Sequence, residues 1–367
     1  MIVSSRTIAQ VILGFSIALS ATAQAPTAVG AATKPVDDEG TLRPFAAIRP
    51  IDVHVHVFKT DPTFQRMLER LNLKLLNILV VDDTNPNRKQ LQLQIDDARA
   101  LVKSSRGHIA LCTTFDPYKF GSASFSADAI NQIDRDFAAG ALAVKIWKNI
   151  GMEIKDSGQY VMADDPKFEP IYKDIAAHGK TLMTHQAEPD VAWGPPDASD
   201  PSWSYYRDNP QWFVANRPGF PSKQRILEAR DHVLANNPQL RMVGVHLGSM
   251  ERDLDNIASH LDRYPNFAID TAARMEYLML MPPEKVSAFL IKYQDRVLYG
   301  TDLDLDPDAK VPDELTEWQS RYTRDWKFLA TSETLTVKGK QVHGLNLPQP
   351  VLEKIFRSNA IRWIQGL

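Results

Sequence analysis

The chain has 367 residues, 44% hydrophobic and 24% charged, with a formal net charge of −3. This composition excludes a disordered chain and argues against nucleic acid or an anionic membrane as the main partner, which leaves a small-molecule substrate. The length fits one large α/β barrel or two ordinary domains, and the single cysteine, Cys112 in the apolar run HIALCTTF, excludes an intrachain disulfide and reads as a small core residue.

In chain order, the first predicted element is an export signal over residues 1–23. Arg6 precedes the apolar stretch IAQVILGFSIALSA, and a small-x-small pattern ends at Ala23. An uncleaved anchor is the alternative, but Gln10, Ser16 and Ser20 interrupt the stretch. The expectation is an exported protein, periplasmic or secreted, with no stable membrane association after cleavage. Residues 24–45, rich in Ala, Pro, Thr and acidic residues, read as a flexible lead-in, and the folded unit spans 46–367.

From residue 46 onward, short β-branched runs alternate with helical patterns. Strand candidates begin at Ile51 (IDVHVHV), Leu73 (LKLLNILVV), His108 (HIALCTTF), Ala141 (ALAVKIW), Thr181 (TLMTH), Arg241 (RMVGVH), Asn266 (NFAID) and Arg296 (RVLYGT). Helical patterns cover 89–104, 127–139, 168–178, 222–236, 253–264, 283–293 and 350–364, several opening on a cap or an early proline (Ser222, Asp253, Pro282 with Pro283). This order predicts a single α/β domain, a closed (β/α)8 barrel of the triosephosphate isomerase type, with long loops after strands 5 and 8. In such barrels sites form at the C-terminal ends of the strands.

His54, His56, Lys145, His185, His246 and Asp302 all stand at such ends. His54 and His56 are two apart, so they leave the same side of one strand and can converge on one ion. A strand flanked by Ile51, Val53, Val55 and Val57 would be buried on both faces, where two unpartnered imidazoles are costly. Alone, His185 or His246 would read as a satisfied core histidine. Their recurrence at equivalent strand ends points to function. Asp302, directly after VLYGT, could bind a metal and accept a proton, or serve as a turn or cap residue. The remaining histidines, His108, His178, His232, His260 and His343, lie at a strand start, in or at the ends of helices, or in a loop, and are set aside.

Taken together these residues carry a resemblance. HxH on the first strand, histidines ending the fifth and sixth, aspartate ending the eighth and the C-terminal VLEKIFRSNAIRWI resemble the amidohydrolase superfamily, in its branch related to aminocarboxymuconate-semialdehyde decarboxylase, over roughly residues 50–365. The resemblance implies a metal-dependent hydrolase or decarboxylase on a distorted barrel, with His54, His56, His185 and Asp302 as ligands, most often of zinc, and His246 beside the metal to polarise substrate or shuttle a proton. AVKIW resembles the segment of urease and dihydroorotase in which a carboxylated lysine bridges two metals. Lys145 is thus a carboxylated bridge, an ammonium that holds a substrate carboxylate, or a structural partner of Asp302, and the centre holds one or two ions.

Substrate contacts are expected from loops after the strands. Residues 186–221 contain Trp193, Trp203, Tyr205, Tyr206, Trp212 and Phe213, too aromatic for a solvated linker, and read as a lid or wall over the metal, with a homodimer contact as the alternative. Lys148, Glu188, Arg274 and Trp193 are the candidate substrate-binding residues. The acidic DLDLDPDAKVPDE lacks the Gly and terminal Glu of an EF-hand loop and reads as a solvated turn. The leading expectation is hydrolysis of a C–O or C–N bond in a small carboxylated or cyclic substrate, a lactone or amide, with Asp302 and His246 catalytic. The alternatives are decarboxylation of a small unsaturated carboxylic acid and a non-catalytic, ligand-binding barrel.

Overall fold

Alternation along each short strand decides which side chains face the barrel axis and which face the helices. The computed structural model describes residues 38–367, and the expected export signal lies outside them, as do residues 24–37. Strands β1 (Ile51–Val57), β2 (Lys74–Ile78), β3 (Ile109–Thr114), β4 (Ala143–Ile146), β5 (Thr181–Thr184), β6 (Arg241–Gly244), β7 (Phe267–Asp270), β8 (Val297–Leu298) and β9 (Leu303–Leu305) form one all-parallel sheet in the order β8-β7-β6-β5-β4-β3-β2-β1-β9. Tyr299 O accepts from Val53 N at 3.0 Å and His54 O from Asp302 N at 2.8 Å, so the segment linking β8 to β9 closes the sheet on β1. The expected barrel is therefore present, and distorted where its eighth strand breaks in two.

Inside it pack Val53, Leu76, Ile78, Ala110, Cys112, Ala143, Met183, Val243, Ala268 and Leu298, and Trp363 and Ile364 of the C-terminal helix close the lower end of this cluster. The larger apolar cluster joins the outward strand residues to the helices. Moving up each strand in steps of two, apolar interior residues give way to chemistry: Ala143 to Lys145, Met183 to His185, Ala268 to Asp270.

Three regions depart from the expectation. Asp38–Ile48 is a helix where the lead-in was expected to run loose to residue 45. Leu42 and Phe45 are buried, and the Phe45 ring lies 5.3 Å from Phe356 and 5.5 Å from Tyr322, an apolar anchorage that a loose segment would forfeit. The long loop after strand 8 instead folds into β9, the helix Val311–Ala330 and the hairpin Thr334–Val337/Lys340–His343. Leu315, Trp318, Tyr322, Trp326 and Leu329 give that helix its buried stripe at helical spacing. Finally, the C-terminal helix contains a π-helical turn, Lys354–Ser358, and its Ile355 carbonyl accepts from Tyr299 N at 3.0 Å, which ties the helix to the broken eighth strand. Among the described residues no helix is long and apolar enough to cross a membrane.

Candidate metal centre

An irregularity in β1 aims the HxH pair. Ile51 and Val53 pack into the interior cluster, whereas Val55 and Val57 pack against the helices, and the pairing with β2 slips between Asp52 and Val55. A bulge there changes which side faces inward, so His54 and His56 turn to the axis just as the strand reaches its upper end. Other strand ends are aimed by left-handed backbone. Ala187, His246, Ala273 and Asp302 have φ of 67°, 58°, 53° and 65°, conformations that cost non-glycine residues of order 1–3 kcal/mol each and cluster here after strands 5 to 8. Gly300 lets the broken strand pass β1, since a Cβ on it would lie 3.0 Å from the Cβ of His54.

The imidazoles are oriented by their Nδ1 atoms. His54 Nδ1 meets Asp270 Oδ2 at 2.9 Å, His56 Nδ1 meets Ile78 O at 2.8 Å and His246 Nδ1 meets Ala272 O at 2.9 Å. Each acceptor selects the tautomer protonated on Nδ1, leaving the Nε2 lone pair for the cavity. Asp302 Oδ1 lies 3.2 Å from His54 Nε2 and 3.4 Å from His56 Nε2. Ligand atoms of His54, His56 and Asp302 thus fall within 4.8 Å of one another. His185 stands on the other flank with its ring centroid 4.3 Å from that of His246, which is itself 4.8 Å from His54. Among the described residues buried His185 Nε2 has no hydrogen-bond partner, and a Glu188 carboxylate oxygen lies 3.8 Å from it.

Burial lowers the pKa of His54, His246 and His185, the last to about 4, so all three rings are neutral donors at neutral pH. Burial alone would raise Asp302, but His246, His54 and His56 outweigh it and hold the carboxyl well below its usual range. This donor set of converging imidazole lone pairs, one carboxylate and an orphaned buried nitrogen fits a divalent cation. Lys145 Nζ lies 3.2 Å from His54 Nε2, and burial pushes its pKa down to about 8.

Asp270 went unrecognised in the sequence. It ends β7, and besides His54 its carboxylate accepts from His246 N at 2.7 Å, so one buried aspartate orients two of the histidines. The available signal was a carboxylate at a strand end, the same signal that singled out Asp302.

Above the centre opens a cavity of ≈360 Å³ lined by His54, His56, Lys145, His185, His246 and Asp302 together with Lys148, Glu188 and Arg274. Trp193 is absent from this lining. Its indole donates to Pro221 O at 3.1 Å and it packs with Phe220, which places it in the apolar base of the loop rather than over the centre. Tyr205 and Tyr206 line the cavity instead. Lys148 and Glu188 form a buried ion pair, Tyr205 Oη is 2.7 Å from Lys148 Nζ, Tyr206 donates to Glu188 at 3.0 Å, and the ammonium sits 4.1 Å from the Trp212 ring centroid. Burial opposes both charges, yet mutual attraction raises Lys148 and lowers Glu188. Glu188→Gln is therefore expected to cost about 3–5 kcal/mol by leaving a buried ammonium uncompensated. Urea unfolding would check this, and a loss below about 1 kcal/mol would remove the pair from the fold's supports.

The family model described as Amidohydrolase matches residues 51–365. No curated protein is matched by sequence. Among solved structures, 2,6-dihydroxybenzoate decarboxylase from Rhizobium is similar at 14% identity over 86% of this chain and 98% of that chain, with a TM-score of 0.50. A 2,6-dihydroxybenzoate decarboxylase complexed with 2,6-dihydroxybenzoate gives 13%, 86%, 98% and 0.51. A protein described as amidohydrolase II gives 15%, 86%, 99% and 0.51. At these identities the likeness establishes the fold.

Proposed function

We propose that this chain, which belongs to the amidohydrolase family of metal-dependent enzymes, hydrolyses a C–O or C–N bond in a small carboxylated substrate, a lactone or amide. The observation that carries the reading is the meeting of His54 Nε2 and His56 Nε2 on the partly open carboxylate of Asp302, 29% exposed, at the floor of a cavity lined with cationic side chains. A bound divalent ion, for which zinc suits the imidazole-rich donor set, supplies Lewis acidity and lowers the pKa of water to about 7. His54, His56, His185 and Asp302 would hold it, and Lys145, placed against His54, would complete a two-ion site if carboxylated.

Asp302 has one face toward the cavity and can take a proton from water there and return it to the leaving group. His246 carries its proton on Nδ1, bonded to Ala272 O, so its cavity-facing Nε2 accepts a proton before it can donate one. That order suits proton shuttling better than polarisation of a carbonyl. Lys148 and Arg274 would hold the substrate's anionic groups, with Glu188 fixing Lys148.

A second reading, decarboxylation of a small carboxylic acid, is supported by the names of the structural relatives, 2,6-dihydroxybenzoate decarboxylases. Metal-loaded protein offered lactones, amides and unsaturated or aromatic carboxylic acids should release a ring-opened or amide-derived acid under the first reading. Carbon dioxide would move the assignment to the second, and no turnover in either series would leave a binding barrel. Metal analysis of the same sample, near one or near two ions per chain, separates the roles of Lys145.

A further inference from the structure

One wall of the cavity is built from the turn after β7 and the inserted helix Val311–Ala330, and its charges are unevenly matched. Arg324 is paired, 2.7 Å from Glu276 and 3.0 Å from Asp325. That pair pins the helix to the turn and turns the same helix face, three residues earlier, toward the centre. On it Arg321 Nη1 reaches to 3.5 Å from Thr301 O, the carbonyl next to Asp302 that also accepts from Ala273 N at 3.2 Å. The nearest carboxylate oxygen to the Arg321 guanidinium, on Glu317, is 3.9 Å away. Beside it Arg274 is 5% exposed, and among the described residues its side chain has no ion-pair partner within 4.0 Å, donates only to the carbonyl of its neighbour Ala273, and leaves its buried Nε without a partner. At the mouth Lys338, at the tip of the hairpin formed by Thr334–Val337 and Lys340–His343, also lines the cavity, exposed and without an ion-pair partner among the described residues.

Glu251 and Glu188 act on the Arg274 guanidinium from a distance, but no carboxylate pairs with it; a buried guanidinium whose donors go unused is costly, and its planar donors match a carboxylate. We propose that Arg274 and Arg321, with Lys338 at the rim, form a subsite for a carboxylate that the reaction leaves intact. This makes the substrate class a small molecule with one carboxylate on this wall and its reacting group, a second carboxylate or its lactone or amide, over the metal centre. The inference rests on the proposed function for what happens at the centre, but the subsite itself can be read without turnover. Arg321 and Lys338 belong to the segment inserted after the eighth strand, so specificity here would come from that insertion rather than from the barrel.

Calorimetric titration of the metal-loaded protein with benzene-1,3-dicarboxylate and with benzoate tests it. The dicarboxylate should bind at least tenfold more tightly than benzoate. Arg321→Gln and Lys338→Gln should each weaken the dicarboxylate several-fold and shrink its advantage over benzoate, with metal content and unfolding midpoint unchanged. Both residues are partly or fully exposed, so neither variant depends on the buried Arg274 tolerating replacement. Equal affinity for the two acids, or a preference untouched in both variants, would overturn the subsite. A preference that disappears in the variants while the protein turns over neither lactones, amides nor acids would keep the subsite and overturn the reaction.

Discussion

Replacing Asp302 by asparagine should lower turnover by about 10³-fold while leaving the fold intact, because the change keeps the side chain's shape and removes the group that accepts the proton. The carboxylate is 3.2 and 3.4 Å from the Nε2 atoms of His54 and His56, and the same substitution also takes away the one anion of the set. Metal content, measured on protein purified without chelator, should therefore fall together with turnover. Asp304 provides the control. It lines the same cavity but is paired with Arg88 at 2.6 Å on the rim, and Asp304→Asn should change turnover little. Asp302→Asn with full metal and turnover within tenfold of the parent would show that proton transfer lies elsewhere, with His246 the next candidate.

What the sequence disclosed about this centre follows from the range of its signals. Apolar runs ending in His, Lys or Asp are local patterns, and they were enough to mark eight strands and to bring His54, His56, Lys145, His185, His246 and Asp302 to one rim. The means of aiming them is not local. Same-side projection of His54 and His56 was legible from their spacing, but facing inward depends on a slip in the pairing with β2 that alternation in β1 alone does not reveal. Asp270 was visible as the end of NFAID, yet its value lies in a bond to His54, 216 residues earlier, and in one to the backbone of His246.

Aromatic residues gave a similar split. Their density in 186–221 correctly suggested a packed wall, but composition cannot say which ring faces the cavity, and Tyr205 and Tyr206 took the place assigned to Trp193. The helix Val311–Ala330 carries a legible apolar stripe, but Pro312, Asp313 and Glu314 in its first turn continue the acidic run that reads as a solvated turn. Arg321 and Arg324 lie on that helix, and their relation to Arg274 exists only after the barrel has closed.

Lys145 should give the metal-depleted protein an unusual pH profile. An isolated lysine titrates at 10.5, whereas here burial brings the value to about 8. Between those limits the unfolded chain carries a proton that the folded chain has lost, so the contribution of Lys145 to stability should rise with pH across the window, the reverse of a lysine held by a salt bridge, while the buried Cys112 thiol, pushed up from 9.0 to about 12, works in the opposite direction. Read from pH 8 to 9.5 as the difference between wild type and Lys145→Met, which share the opposing titrations of Cys112 and the tyrosines, the gain is about 2 kcal/mol. Chelator-treated protein unfolded in urea at a series of pH values would show it, and Lys145→Met should flatten the slope because it removes the titrating group. A wild-type slope equal to that of the variant would mean that Lys145 keeps its ammonium throughout. In that case the neutral amine that carboxylation requires would not form at this position, and the two-ion site would have to be given up.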